Sequence, residues 1–226
     1  MNVRTFPSLL DRTTDLTSRA VGDIGRSRVM PPGFSEGSEG LVTPERLGET
    51  EPTITLTGRV HEEMFKNLSI DLGKLERENK QRNKLKVDFS SFGGSVVIGF
   101  GVHDMLRVFA RRHNIPIEIT GFGPIMSMGV LILQAGDVRK MPENSRMLLH
   151  PVSTRLEGEV DRIEYELAES KYLYTTYAEI VSSRVKKAGK NTSADDILTL
   201  MKANSSLGTR LSSREALELG LIDEIV

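Results

Sequence analysis

The 226-residue chain contains no cysteine and no tryptophan. Without cysteine it can form no disulfide, no thiolate nucleophile and no cysteine-ligated metal site. Basic and acidic residues nearly balance, for a formal net charge of −1, and this balance argues against the clustered basic surface that nucleic-acid binding requires. No apolar run approaches the roughly 18 to 20 residues that a membrane span needs. We therefore expect a cytoplasmic protein that binds neither nucleic acid nor membrane.

The first 40 residues differ in composition from the rest of the chain. They are rich in arginine, serine, threonine and glycine, and they end in a stretch containing Pro-Pro-Gly, which is typical of a flexible linker. We predict a flexible or processed extension over residues 1–40 and a folded domain over residues 41–226. A transit peptide that directs the protein to the plastid stroma is the alternative, but Asp11, Asp15 and Asp23 count against it.

From residue 53 onward, segments with strand-like alternation take turns with segments of helical periodicity. Because strands that alternate with helices favour a layered sheet with crossover connections, we predict an α/β fold. The predicted strands are 53–57, 85–89, 115–120, 145–149 and 221–226, and the predicted helices are 62–83, 99–112, 127–135, 160–187, 194–202 and 213–220.

One serine stands where an apolar strand turns into a helix of small and apolar residues. Ser127 follows Gly-Phe-Gly-Pro-Ile-Met, and His150 comes at the end of the next predicted strand. A serine hydroxyl becomes a useful nucleophile when an imidazole within hydrogen-bond reach takes its proton. The free N–H groups at a helix N-terminus point at developing negative charge, so the same turn can supply part of an oxyanion hole. This pattern predicts serine nucleophilic catalysis.

Six short motifs, in order along residues 53–226, resemble those of the Clp protease proteolytic subunit (ClpP) family. Each motif alone is weak, whereas six in the right order are a specific match. The motifs are Ile-Thr-Leu-Thr-Gly-Arg-Val at 54–60, Phe-Gly-Gly-Ser-Val at 92–96, Met-Ser-Met-Gly at 126–129, Leu-Gln-Ala-Gly at 133–136, Pro-Glu-Asn-Ser-Arg at 142–146 followed by Leu-His at 149–150, and Leu-Ser-Ser-Arg-Glu-Ala at 211–216 followed by Gly-Leu-Ile-Asp at 220–223.

The resemblance implies a crotonase-like α/β fold with a layered sheet, crossover helices and a protruding handle helix, which corresponds to residues 160–187. By position it implies that Ser127 is the nucleophile and His150 the general base. It also implies that the N–H groups of Gly94 and Met128 form the oxyanion hole. It implies no cofactor and no metal.

The partners that the resemblance implies are other subunits, an ATPase and a polypeptide. The subunits would form two stacked seven-membered rings, either pure or mixed with other subunits of this type. An AAA+ Clp ATPase would unfold polypeptide substrates and feed them into the chamber. The chain itself contains no Gly-x-x-x-x-Gly-Lys-[Ser/Thr] loop to cradle phosphates, so ATP use would come from that partner.

The third member of the catalytic triad departs from the family pattern, which has an aspartate there. Alignment from the upstream helix places Asn204 at this position, and alignment back from the closing motif places Gly208 there. Asn204 would orient His150 by accepting a hydrogen bond, without stabilising the imidazolium as a carboxylate does. The same replacement in a serine protease costs about four orders of magnitude in rate, so we expect a slow enzyme. Asp195 and Asp196 are nearby alternatives.

Two other functions compete with a chambered peptidase. The missing aspartate and the unusual Pro-Ile-Met before Ser127 favour a non-catalytic or regulatory ring subunit that mixes with active subunits, whereas the retained serine and histidine disfavour it. The N-terminal extension permits a virion maturation peptidase that acts without an unfoldase. An acyl-CoA hydratase of the same superfold is disfavoured, because its chemistry uses acidic residues and needs no serine–histidine pair.

Overall fold

The computed structural model describes residues 51–78, 80–153 and 157–226. The predicted extension over residues 1–40 lies outside these ranges, and its boundary with the folded domain stays a prediction. Within the described ranges, no helix combines the length and the apolar character that crossing a membrane requires.

Strands and helices alternate along the described residues, as the sequence predicts. In chain order they are β1 (Thr53–Thr57), α1 (Glu62–Glu78), β2 (Leu85–Ser91), α2 (Val96–His113), β3 (Ile117–Met126), α3 (Met128–Leu133), β4 (Val138–Met141), β5 (Arg146–Leu149), α4 (Val160–Lys187), α5 (Ala194–Ser206), β6 (Thr209–Ser212), α6 (Ser213–Glu218) and β7 (Glu224–Ile225).

A mostly parallel sheet organises the domain. Five parallel strands run in the order β1-β2-β3-β4-β7, β5 is a further parallel neighbour of β3, and β6 pairs antiparallel with β5. The ten-residue strand β3 makes this branch possible, because residues 118–120 pair with β4 while residues 124–126 pair with β5. The predicted α/β sheet with crossover helices is confirmed.

One hydrophobic core lies between the sheet and the helices. Alternate residues of β2 are buried, as the two-residue period of a strand requires. Helix α3 is buried on all sides, which accounts for its uniformly apolar sequence, and α1 turns one face inward, formed by Met64, Leu68, Leu72 and Leu75. Each such side chain contributes roughly 1.5–3 kcal/mol through burial. The core thereby holds in place the strand ends from which the site is built.

Several element boundaries differ from the sequence prediction. Helix α1 ends at Glu78 rather than at residue 83, and the Arg82 side chain turns back to donate to the Leu75 carbonyl. Strand β3 continues to Met126 rather than ending at residue 120, because its glycines conceal a strand pattern. The sequence pattern also misses β4 and β6, since each has only four residues and carries charged side chains.

The 28-residue helix α4 has two different halves. Its C-terminal half is packed into the core through Tyr177, Ala178, Val181 and Val185. Its N-terminal half instead exposes large apolar side chains, namely Val160, Tyr165, Leu167 and Tyr172. The large apolar side chains of this helix are therefore buried within the chain only in its second half.

Candidate active site

Three neighbouring parallel strands, β2, β3 and β5, end at the same edge of the sheet, with β3 in the middle. The register pairs Met126 of β3 with Leu148 of β5. Ser127, which follows β3, therefore lies close to His150, which follows β5, although the two are far apart in the sequence. The carboxyl edge of a parallel sheet is where open α/β folds place their ligand sites.

Ser127 occupies a sharp turn between β3 and α3. Its φ and ψ are 56° and −125°, a combination that costs a residue with a side chain about 1–3 kcal/mol and that clusters at active sites. Its N–H donates to the Leu148 carbonyl at 2.8 Å. Its own carbonyl accepts from the Val130 N–H at 3.0 Å and from the Tyr177 hydroxyl at 3.2 Å. These three hydrogen bonds hold the serine in its strained conformation.

His150 lines the same cavity as Ser127. Its Nδ1 lies 2.7 Å from the carbonyl oxygen of Pro151. Because a carbonyl can only accept, Nδ1 carries the proton in this contact, and in the neutral imidazole Nε2 then keeps a free lone pair. In the part of the chain that the structure describes, no hydrogen bond joins Ser127 to His150. The imidazole nevertheless has the tautomer that a general base requires.

The loop after β2 brings a backbone N–H group to the same place. Gly94 has a φ of 156°, and a Cβ there would come 2.3 Å from the Val60 carbonyl oxygen, so only glycine allows this close approach. Among the described residues, neither the Gly94 N–H nor the Met128 N–H donates a hydrogen bond. Both residues line the cavity that holds the serine and the histidine. The site thus contains two unused backbone donors.

The cavity has a volume of about 440 Å³. Phe92, Val96, Val152 and Met201 give it apolar walls, and Arg59 adds a positive charge. An apolar cleft with a few placed polar groups is the usual form of a small-ligand or peptide site. Its composition suits a neutral or apolar group of a ligand.

Asn204 does not line this cavity. Its side-chain nitrogen donates to the Gly208 carbonyl at 2.9 Å, and the structure does not bring it into a hydrogen bond with His150. Gly208 instead lies directly beside the histidine, since a Cβ at this position would come 2.6 Å from the His150 Cβ. Of the two alignments, the one that ends on Gly208 therefore identifies the position next to the histidine, and glycine has no side chain with which to orient it.

The two alternative aspartates belong to the start of helix α5. Asp196 accepts hydrogen bonds from the backbone and the hydroxyl of Ser193, at 2.8 and 2.7 Å, in a capping box. These hydrogen bonds lower the pKa of Asp196. Within the described residues, neither Asp195 nor Asp196 is hydrogen-bonded to His150. Asp196 in particular already serves as a cap.

In a comparison with protein-family models, residues 43–226 match the family described as Clp protease. The chain belongs to the Clp protease family. This confirms the resemblance carried by the six motifs and, with the parallel sheet, the ClpP-like α/β fold. Membership of the Clp protease family makes a peptidase, and so a hydrolase, the class of activity that the chain's relatives share.

Sequence reasoning misses two groups at the site of this Clp protease family member. Tyr177 belongs to the predicted helix over residues 160–187, and its hydroxyl reaches the Ser127 carbonyl. A signal was available, because a tyrosine on a buried helix face needs a partner for its hydroxyl. The carbonyl of Pro151 belongs to the residue next to His150, but every residue carries a carbonyl, so the sequence gives no signal that this one meets the imidazole.

Proposed function

We propose that the chain is a serine endopeptidase subunit in which Ser127 is the nucleophile and His150 the general base. The observation that carries the proposal is the convergence at one cavity of four groups: a serine in a strained turn, a histidine with a free Nε2, and two unused backbone N–H groups. Acyl transfer from a peptide requires each of them. Membership of the Clp protease family supports the same chemistry.

The reaction would follow the course of serine peptidases. His150 Nε2 takes the hydroxyl proton as Ser127 Oγ attacks the peptide carbonyl, and the resulting oxyanion accepts hydrogen bonds from the N–H groups of Gly94 and Met128. The imidazolium then protonates the leaving amine, and a water molecule hydrolyses the acyl-enzyme in the same way. Hydrogen bonds of this kind often tighten only in the complex with substrate, so the open Ser127–His150 pair is compatible with catalysis.

In this proposal the Pro151 carbonyl replaces the third triad member as the group that orients His150. It orients the imidazole through Nδ1, but a neutral carbonyl stabilises the imidazolium less than a carboxylate does. We therefore propose a slow peptidase. Asn204 stays an untested alternative as orienting residue, and that role would require its amide to leave the Gly208 carbonyl.

We further propose that the subunit works in stacked rings of seven and receives unfolded polypeptide from an AAA+ Clp ATPase. The family as a whole supports ring assembly with such a partner. The exposed apolar side chains on the N-terminal half of α4 supply a surface that needs a protein partner. A second copy of this helix is the occupant that a stacked ring would provide.

A non-catalytic ring subunit is the second candidate. The residue beside His150 is Gly208, which supplies no carboxylate, and the described residues contain no Ser127–His150 hydrogen bond. These two observations favour a subunit that assembles with active copies without cleaving substrate.

A serine-directed fluorophosphonate probe and a fluorogenic peptide separate the two candidates. We expect the wild-type protein to take the probe and to cleave the peptide slowly, and the Ser127→Ala variant to do neither. Ser153 lines the same cavity, so Ser153→Ala is the matched control and should keep both activities to within about twofold.

Three results would contradict this expectation for the probe and the peptide. A folded and assembled wild-type protein that takes no probe would replace the peptidase by the non-catalytic subunit. Labelling that survives Ser127→Ala would remove Ser127 as the nucleophile. Labelling that is lost in Ser153→Ala as well would point to a general disturbance of the cavity.

A further inference from the structure

We propose that Tyr177 is a positioning residue, whose hydroxyl orients the oxyanion-hole donor Met128 through the Ser127 carbonyl. This inference rests on the proposed peptidase function. It adds to that function a residue of helix α4 that lies 50 positions away along the chain from the candidate nucleophile.

The contact joins the buried half of α4 to the turn that carries the serine. Tyr177 is only 2% exposed and lines the cavity, and its hydroxyl donates to the Ser127 carbonyl oxygen at 3.2 Å. Burial raises the pKa of Tyr177 well above its ordinary value, so the hydroxyl keeps its proton and remains a donor throughout any practical assay range.

Because the peptide bond is planar, the hydrogen bond from Tyr177 to the Ser127 carbonyl also affects the direction of the Met128 N–H. The Ser127 carbonyl and the Met128 N–H belong to the same peptide group, and in a trans peptide they point in opposite directions in one plane. A hydroxyl that holds the carbonyl on one side therefore sets the direction of the N–H on the other. Since the Met128 N–H donates no hydrogen bond within the described residues, Tyr177 aims a free donor.

The backbone at Ser127 requires contacts that maintain its conformation. Ser127 has a φ of 56° and a ψ of −125°, a conformation that persists only where surrounding contacts enforce it. The other two contacts, from Val130 and to Leu148, are backbone hydrogen bonds. Among the described residues, the hydrogen bond that a side chain makes to the Ser127 backbone comes from the Tyr177 hydroxyl. A mutation can remove this hydroxyl without changing the backbone.

The chain offers a matched control one helical turn away. The Tyr174 hydroxyl is also buried on α4, but it has no hydrogen-bond partner among the described residues. Tyr174→Phe and Tyr177→Phe therefore remove the same atom from the same helix, and only the second removes a hydrogen bond to the site.

We expect Tyr177→Phe to lower kcat about tenfold and to leave KM within about twofold of wild type. An oxyanion forms only in the transition state, so a misdirected donor affects kcat rather than ground-state binding. The loss should stay below the hundredfold or more that removal of an entire oxyanion-hole donor costs. Tyr174→Phe should leave both constants unchanged. Peptide hydrolysis and the rate of fluorophosphonate labelling, on the assembled fraction from gel filtration, give the readouts.

Replacement of Tyr177 by 4-aminophenylalanine tests the donor itself, because this residue keeps an N–H donor on the same ring. The 4-aminophenylalanine variant should restore kcat to within about threefold of wild type. If the ring acted only by filling space, Tyr177→Phe would already keep kcat, because Phe fills the same space. If Tyr177→Phe fails to fold, the comparison passes to 4-aminophenylalanine against 4-methylphenylalanine, which lacks the donor.

The possible outcomes separate this inference from the function beneath it. An unchanged kcat in Tyr177→Phe, or a change confined to KM, would overturn the positioning role while the peptidase function stands. Equal losses in Tyr174→Phe and Tyr177→Phe would also overturn it, because they would reflect the packing of α4. A wild-type protein that neither cleaves peptide nor takes the probe would overturn both.

Discussion

Gly208 determines what can orient His150. It has a φ of 86°, and a Cβ at this position would come 2.1 Å from the Leu149 carbonyl oxygen, so no residue with a side chain fits without movement of the backbone. An aspartate at Gly208, where one of the two alignments places the family's aspartate, therefore has no room in this conformation of the chain. The Pro151 carbonyl meets the Nδ1 proton instead. At the scale of the single residue, a glycine beside His150 supplies no carboxylate, and a main-chain carbonyl is the hydrogen-bond partner of the imidazole Nδ1.

We predict that Asn204→Gly leaves kcat within about twofold of wild type, because the Asn204 amide bonds to the Gly208 carbonyl and not to His150. Glycine is the suitable replacement, since Asn204 has a φ of 52° that glycine adopts without strain. Steady-state peptide hydrolysis measures the effect.

Asn204→Ala provides the companion variant. It should lose about 1 kcal/mol of stability from the left-handed backbone, again with little change in kcat. A fall in kcat of a hundredfold or more in Asn204→Gly would instead return Asn204 to the role of orienting residue.

At the scale of the element, helix α4 connects an exposed apolar surface with the candidate site. Its C-terminal half places Tyr177 against the turn that holds Ser127. Its N-terminal half exposes large apolar side chains, of which Tyr165 at 71% and Val160 at 69% are the most exposed. One rigid helix therefore joins the surface that we propose a second copy covers to the residue that we propose aims the oxyanion-hole donor.

We predict that Tyr165→Asp prevents assembly into rings while the single subunit stays folded. A new carboxylate in an apolar interface would have to lose its water without gaining a partner, which is strongly unfavourable. Sedimentation velocity should show a shift from a large oligomer to a small species, with an unchanged circular dichroism spectrum.

Thr175→Asp is the control for this prediction, because it adds the same charge at an exposed position on the other half of α4. It should leave the oligomer intact. A Tyr165→Asp protein that assembles as the wild type does would show that this half of α4 is not the contact between copies.

At the scale of the whole molecule, an ion pair between a buried arginine and a partly exposed aspartate joins strands β4 and β7. Arg139 of β4 is 1% exposed, and its Nε and Nη2 atoms donate to the Asp223 carboxylate at 2.9 and 2.6 Å. The Asp223 N–H donates back to the Arg139 carbonyl at 2.8 Å. Burial favours the neutral acid, but the Arg139 guanidinium outweighs it and lowers the pKa of Asp223. The pair holds β7 at the edge of the sheet, beside β4.

We predict that Asp223→Asn lowers the free energy of unfolding at neutral pH by about 3 kcal/mol, because it leaves the Arg139 guanidinium buried without a counter-charge. The folded-state pKa of Asp223 is depressed, so the ionised pair stabilises the fold above the ordinary value of 3.8 and loses this contribution as the pH falls below it. The difference in stability between wild type and variant should therefore shrink in acid. Chemical denaturation at about pH 7 and about pH 3 measures it.

Glu143→Gln serves as the control, because the Glu143–Arg214 pair is largely exposed and such pairs contribute about 0–1 kcal/mol. An Asp223→Asn protein as stable as this control at neutral pH would contradict the prediction.

Periodicity along the chain was sufficient to predict most helices and strands, but it was insufficient where a segment is short or interrupted. The helix over Val160–Lys187 and the strand over Thr53–Thr57 agree with prediction to the residue, because a long amphipathic pattern or a strict alternation is a local signal. Strand β4, with only four residues, lacks enough of a pattern to be distinguished from a loop. Regular helical geometry in α5 continues up to residue 202, the predicted end, and residues 203–205 have non-helical backbone angles that leave no signature in the sequence.

The sequence by itself determined which residues could do chemistry here. The candidate site residues Ser127, His150, Gly94 and Met128 stand in recognisable local motifs, because a serine turn, a strand end and a glycine loop each depend on only a few neighbouring residues. Only the tertiary structure decided what those residues touch. The contacts of Tyr177 with Ser127 and of Gly208 with His150 join residues that are far apart along the chain. Such pairings depend on strand register and helix packing, which no local pattern encodes.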